Sequence, residues 1–277
     1  MRTSLFAFLL LASISIAQAQ IQIGLQMGTF RKQLQSDLPG TLGKMKSMGI
    51  TEVEGGGTYG LEVEAYKKLL KENGIKVVAI GANFDSLQRN PAKYVQQAAQ
   101  VGATQVVCYW IPHTGDVFTI DDAKKGVTVF NAAGEVLAKS GLTLAYHAHG
   151  YEFGAYEGGT LFDYLAKNMD PRYANFQMDV FWIRQSGTNP VELLRKYPTR
   201  FKSMHLKDRL AGTPDSNNGR ADVEKANVVL GTGDVGIEAI VKEGVKAGIK
   251  HYFIEDESSR SWEQVPVGIE FLKKIKY

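Results

Sequence analysis

Short β-rich runs alternate with longer amphipathic runs from one end of this chain to the other, and the alternation repeats eight times. The β-rich runs are 21–27, 50–54, 75–80, 104–110, 142–147, 174–179, 201–206 and 251–255. Most are rich in Val, Ile, Phe or Tyr and bounded by Gly, Pro or polar residues, the composition of strands. Between them, segments such as 61–70, 95–101 and 235–247 carry apolar residues at three- and four-residue spacing, the period of a half-buried helix. Gly49, Gly74, Gly102, Gly141 and Gly248 each stand just before a strand, where a helix needs a left-handed residue to stop.

Eight βα units predict a closed (β/α)8 TIM barrel in the α/β class, built as a single domain. An open doubly wound sheet would need fewer strands or a break in the alternation. The glycines of Glu54-Gly55-Gly56-Gly57 have the wrong spacing for a dinucleotide fingerprint, so no nucleotide cofactor is expected.

Residues 1–19 read as a signal peptide: Arg2, an apolar run, then Ala17-Gln18-Ala19 as a small-x-small cleavage site. The run is shorter than the roughly 20 residues of a membrane-spanning helix. The expectation is therefore an exported chain, periplasmic or extracellular, with 20–277 as the barrel domain and no stable membrane insertion after cleavage. Cys108 is the single cysteine, which rules out an intrachain disulfide. The formal charge of +3 is scattered rather than gathered in a stripe, and no nucleic-acid partner is expected. A homodimer is compatible with such a barrel, although no exposed patch can be read from the sequence.

A barrel carries its chemistry at the C-terminal ends of its strands. There the fifth strand runs into Tyr146-His147-Ala148-His149-Gly150-Tyr151-Glu152, and the sixth ends in Met178-Asp179. The seventh ends in Met204-His205-Leu206-Lys207-Asp208, and the eighth in Glu255-Asp256-Glu257. Carboxylates and imidazole converging from neighbouring strands suit Mn2+, Mg2+, Co2+ or Zn2+. The expected ligands are Glu152, Asp179, His205 and Glu255, with His149 able to replace Glu152 or to move protons. His147 and His149 share a face if the strand continues through them. Candidate acid–base groups are Glu152, Glu255, His149 and His147. Candidate substrate contacts are Glu54, His113, Trp182 and Lys207, with Asn83 a weaker one, and Asp208 is a candidate for orienting a ligand. The polar loop 212–220 is long enough to cover part of the site.

The segments Tyr146–Phe153, Met178–Trp182, His205–Asp208, Gly231–Val235 and Glu255–Glu257 resemble those of the xylose isomerase-like TIM-barrel superfamily, in its sugar phosphate isomerase/epimerase branch. The resemblance covers essentially all of 20–277. It implies a divalent metal held by Glu, Asp, His and Glu from strands five to eight, with Asp179, His205 and Glu255 at matching positions. The first glutamate of the ketose epimerases would fall where this chain has Tyr146. That departure counts against a simple two-glutamate epimerase scheme, and the histidine-rich fifth strand resembles that of inosose dehydratases and keto-glycoside-processing enzymes. The leading expectation is a metal-dependent isomerase or epimerase that abstracts a proton beside a carbonyl of a small sugar or sugar derivative. A metal-dependent lyase or dehydratase acting on a keto sugar or 3-keto-glycoside is the alternative, and an exported sugar-binding protein is the non-enzymatic one. Metal-dependent cleavage of damaged DNA would need more histidines at strand ends and a basic groove.

Overall fold

The structure, a computed structural model, describes residues 21–277. Residues 1–20, including the segment expected to be a signal peptide, lie outside the described residues. Eight parallel strands close into a barrel in sequence order. They are β1 (Gln22–Gln26), β2 (Glu52–Glu54), β3 (Lys76–Ala82), β4 (Gln105–Cys108), β5 (Thr143–His147), β6 (Ala174–Asp179), β7 (Phe201–Leu206) and β8 (His251–Ile254). The main crossover helices are α1 (Leu38–Met48), α2 (Val63–Glu72), α3 (Ala92–Val101), α4 (Ile120–Ala138), α5 (Leu161–Asn168), α6 (Pro190–Lys196), α7 (Ile237–Lys246) and α8 (Ser261–Leu272). The eight-fold βα alternation in the sequence is thus the architecture of the folded chain. No helix among the described residues is long and apolar enough to cross a membrane.

Local chemistry explains the punctuation. Gly49 and Gly102 terminate α1 and α3 in the left-handed region at φ 86° and 76°, where a Cβ would be strained. Thr119 and Asp122 form a reciprocal capping box that opens α4, and Thr160 and Asp163 do the same for α5.

Two-residue alternation along each strand decides what faces the barrel axis. Leu25, Val53, Val106, Leu144, Tyr146, Phe176, Met178, Met204, Leu206, Tyr252 and Ile254 belong to the main core, which lies between the sheet and the helices. The residues in between point inward. Ala79, Val107 and Ala145, with Tyr109 against them, form a separate small apolar layer. Above it the interior is polar, with Glu54, His147, Gln177, Asp179, Ser203 and His205 all buried. Register stacks these positions side by side: His147 pairs with Gln177 and Asp179 with His205.

Tyr146 therefore faces the helices, its ring centroid 5.2 Å from that of Phe130 on α4. The inward position at the mouth end of β5, where the family's glutamate was expected to align with Tyr146, is held by His147. The pleat requires this, because Leu144 and Tyr146 are both committed to the outer core.

Candidate metal centre

β5, β6 and β7 deliver His147, Asp179 and His205 to one point, their ligand atoms all within 4.8 Å of one another. His147 Nε2 lies 3.7 Å from Asp179 Oδ2, and His205 Nδ1 lies 3.9 Å from the same oxygen. Glu255, just past β8, places Oε2 3.3 Å from His205 Nδ1. Donor atoms around one ion with bonds of about 2.0–2.2 Å stand roughly 3–4 Å apart, so these spacings fit a shared cation.

The backs of the imidazoles are fixed. Nε2 of His205 is 2.6 Å from Glu54 Oε1, which also accepts a 2.9 Å bond from Tyr109 Oη. Nδ1 of His147 is 2.8 Å from Gln177 Oε1. The Gln177 amide nitrogen donates in turn to Glu54 and, at 3.0 Å, to Ser203 Oγ. One network thus turns both rings and leaves His147 Nε2 and His205 Nδ1 facing Asp179. Asp179 Oδ1 accepts the Trp182 backbone N–H at 3.0 Å, whereas its Oδ2 is buried without a hydrogen-bond partner among the described residues. A buried carboxylate oxygen with no donor is costly and calls for a partner such as an ion. On these observations the residues fit a divalent metal.

The charges are strongly coupled through this dry interior. Burial and the neighbouring His205 charge push the His147 imidazole down to about 4, so it is neutral near pH 7. Burial also opposes charge on His205, but Glu54 and Glu255 prevail and hold its imidazolium well above the usual range. Glu255 resists the same burial because Lys207 and His205 hold its carboxylate well below the usual range. Burial and the Glu255 charge raise Asp179 to about 6. Lys207 is buried, with Nζ 3.7 Å from Glu255 Oε2, in direct contact with Glu257, and 4.9 and 5.3 Å from the Phe181 and Trp182 rings.

The remaining candidates divide by position. The His149 ring lies 4.6 Å from that of His147 and 5.8 Å from Trp182, with Nδ1 buried and without a hydrogen-bond partner among the described residues. Trp182 is buried beside Lys207, and Glu54 sits behind His205. Glu152, expected among the ligands, is turned elsewhere. Its carboxylate accepts the His149 and Gly150 backbone N–H groups at 3.1 and 2.9 Å and the Tyr146 hydroxyl. Burial raises it to about 7. The loop that carries it curls back after β5, so Glu152 braces the His147–His149 segment from behind while His147 faces the cluster. His113 lies on the rim, its Nδ1 2.8 Å from Ile111 O and its ring under Trp110. Asp208 accepts backbone N–H groups of Gly231, Gly233 and Val235 and so organises the loop after β7, away from the ligand atoms. Asn83 caps the helical turn 84–89 through Ser86 N. In the loop 212–220, Gly219 packs against the Tyr151 ring beside the His149 backbone, and Arg220 pairs with Asp116 at 2.6 Å.

Gln177, Tyr109, Ser203 and Glu257 complete the site without having been singled out in the sequence. Gln177 was the most accessible of these, because it precedes Asp179 by two residues on a strand and must share its face.

A closed (β/α)8 barrel with a buried His–Asp–His cluster at the mouth of its strands defines the class of protein. The family model of the xylose isomerase-like TIM barrel matches residues 42–275, and the chain belongs to that family. No curated protein matches the chain. Among solved structures it is similar to a sugar phosphate isomerase/epimerase from Parabacteroides distasonis, at 25% identity and a TM-score of 0.78 over 95% of this chain and 98% of that one. It shares its fold with the probable 3-DHS dehydratase AsbF from Bacillus anthracis, at 16% identity and a TM-score of 0.74 over 92% of this chain and 100% of that one. It also shares its fold with the zinc-binding IOLI protein, at 14% identity and a TM-score of 0.70 over 92% and 96% of the two chains.

Proposed function

We propose that the protein is a divalent-metal-dependent isomerase or epimerase of a sugar or sugar derivative, working by proton abstraction beside a carbonyl. The observation that carries this reading is the unpartnered Asp179 Oδ2, faced by His147 Nε2 and His205 Nδ1. His147, Asp179, His205 and Glu255 would hold the ion, which would supply Lewis acidity at the substrate carbonyl. Two imidazoles beside carboxylates favour Zn2+, Mn2+ or Co2+ over Mg2+, which prefers an all-oxygen shell.

The chain's own groups do the rest. His149, with its buried Nδ1 unpartnered among the described residues, takes the proton next to the carbonyl, and Glu255 or Lys207 governs its return. Return at the neighbouring carbon isomerises the sugar; return to the opposite face epimerises it. Trp182 offers an apolar wall for sugar C–H groups, and the loop 212–220 screens the mouth from water.

One observation favours a lyase as the second reading. The inward place at the end of β5 holds His147 rather than a carboxylate, so the paired glutamates of a ketose epimerase are not both present. With the same proton removed, loss of a β-oxygen substituent from a keto sugar would give dehydration or glycoside cleavage, with a histidine assisting the leaving oxygen.

Turnover with and without added metal, on free sugars, their phosphates and 3-keto glycosides, tests the reading by NMR in deuterated water. Deuterium at C2 or C3 on an unbroken skeleton is expected. Loss of water or an aglycone would replace it with the lyase reading, and full activity after exhaustive chelation would overturn metal dependence. Export is proposed from residues 1–19 alone; N-terminal sequencing of the mature protein should begin at Gln20.

A further inference from the structure

A cavity of about 690 Å3 opens on the same face of the barrel, between the segments that follow β3 and β4. Asn83, Asp85, Lys93, Gln97, Tyr109 and Trp110 line it. Its size falls within the range of about 300–1,000 Å3 typical of small-ligand sites.

It borders the metal centre: Trp110 meets Tyr151, whose ring stacks on that of His149 at 6.3 Å, and Tyr109 stands between the two. Tyr109 lines the cavity, and its hydroxyl bonds Glu54, which holds His205. Gly81 is required there, since a Cβ at that position would come within 3.0 Å of the Tyr109 ring.

Trp110 is 48% exposed, the one exposed large aromatic among the described residues. An indole left half in water is more informative than a scattered exposed aliphatic residue. The ring is also held in place. It rests on His113, with centroids 4.1 Å apart and planes at 31°, and meets Tyr151 edge-on at 5.5 Å. Around this fixed aromatic surface stand hydrogen-bonding groups. The side chains of Asp85 and Gln97 have no hydrogen-bond partner among the described residues, and Asn83 uses its carbonyl oxygen as a cap, leaving its amide nitrogen free. One apolar aromatic face with polar groups on the rim is the chemistry that grips a sugar ring, which presents C–H groups on its face and hydroxyls at its edge.

We propose that this cavity is a subsite for a second sugar ring, so that the substrate is a disaccharide-sized glycoside with its reacting ring at the metal centre and its other ring stacked on Trp110. The proposal rests on the reading of the metal centre as a sugar site, but its binding component can be measured separately. Trp110 is the specificity-determining residue: it contributes to binding of the two-ring substrate and nothing to binding of a single ring.

Binding of glucose, maltose, cellobiose and trehalose to the full chain, followed by saturation-transfer NMR and tryptophan fluorescence, tests the subsite. At least one disaccharide should bind about tenfold more tightly than glucose. Trp110→Ala should remove that advantage, leave glucose affinity within about twofold and keep the thermal midpoint, whereas Trp110→Tyr should retain most of it. Asp179→Asn, which disables the metal centre, should leave the disaccharide advantage in place. Trp110-dependent binding without any turnover would defeat the proposed reaction and leave the subsite standing. Equal affinity for one-ring and two-ring sugars, or a disaccharide preference unchanged in Trp110→Ala, would overturn the subsite.

Discussion

Glu54 and His205, 151 residues apart in sequence, meet inside the barrel with Oε1 and Nε2 2.6 Å apart. The contact turns the imidazole so that Nδ1 faces Asp179 and Glu255. Glu54→Gln should keep the shape but lose the charge that fixes the ring, and metal affinity should fall about 10- to 100-fold. Isothermal titration with Zn2+ and Mn2+ measures this. Unchanged affinity would show that Glu54 does not orient the ligand.

Asp179 supplies two separable functions through its two oxygens. In Asp179→Asn the side-chain oxygen still accepts the Trp182 N–H, because asparagine caps as well as aspartate. The anionic oxygen facing the two histidines is lost. Bound metal, counted by elemental analysis after gel filtration, should drop to background while the far-UV circular dichroism stays that of the wild type. Metal retained at wild-type stoichiometry would defeat the assignment of Asp179.

Metal binding should be pH-dependent through His205. Its folded-state value lies well above the ordinary one, so without metal the ring carries its proton at neutral pH. A cation takes the Nδ1 lone pair and must displace that proton. Affinity should therefore fall as pH is lowered, and binding near pH 7 should release about one proton. Calorimetry in two buffers of different ionisation enthalpy reads the proton count; zero release would contradict the assignment.

Glu152 sets a different pH dependence, on stability rather than binding. Burial raises it from 4.5 to about 7 in the folded chain. Between those values the unfolded chain has released its proton and the folded chain still holds it. The contribution is thus fully favourable below about 4.5 and is lost as pH rises towards 7. Glu152→Gln cannot ionise, so relative to the wild type it should gain up to about 3 kcal/mol between pH 4.5 and pH 7.5. Urea unfolding of both proteins across that range tests the sign, and a constant difference would mean that Glu152 stays ionised.

The sequence by itself determined the barrel. The alternation of β-rich and amphipathic runs, with glycine at five of the helix stops, is local information, and propensity and periodicity act over a few residues. It also placed Asp179, His205 and Glu255 at strand ends, because in a barrel the strand end is the catalytic face. The direction of a side chain at the mouth was decided only by the tertiary structure. Tyr146 and His147 are neighbours in a polar-aromatic stretch, and only the packing of Leu144 and Tyr146 against the helices turns His147 to the axis. Glu152 stands three residues beyond His149 in a spacing that invites a ligand, yet the loop folds it back onto its own N–H groups. Gln177 and Tyr109 act through partners on β2, β5 and β7, and pairings across such distances exist only once the eight strands close.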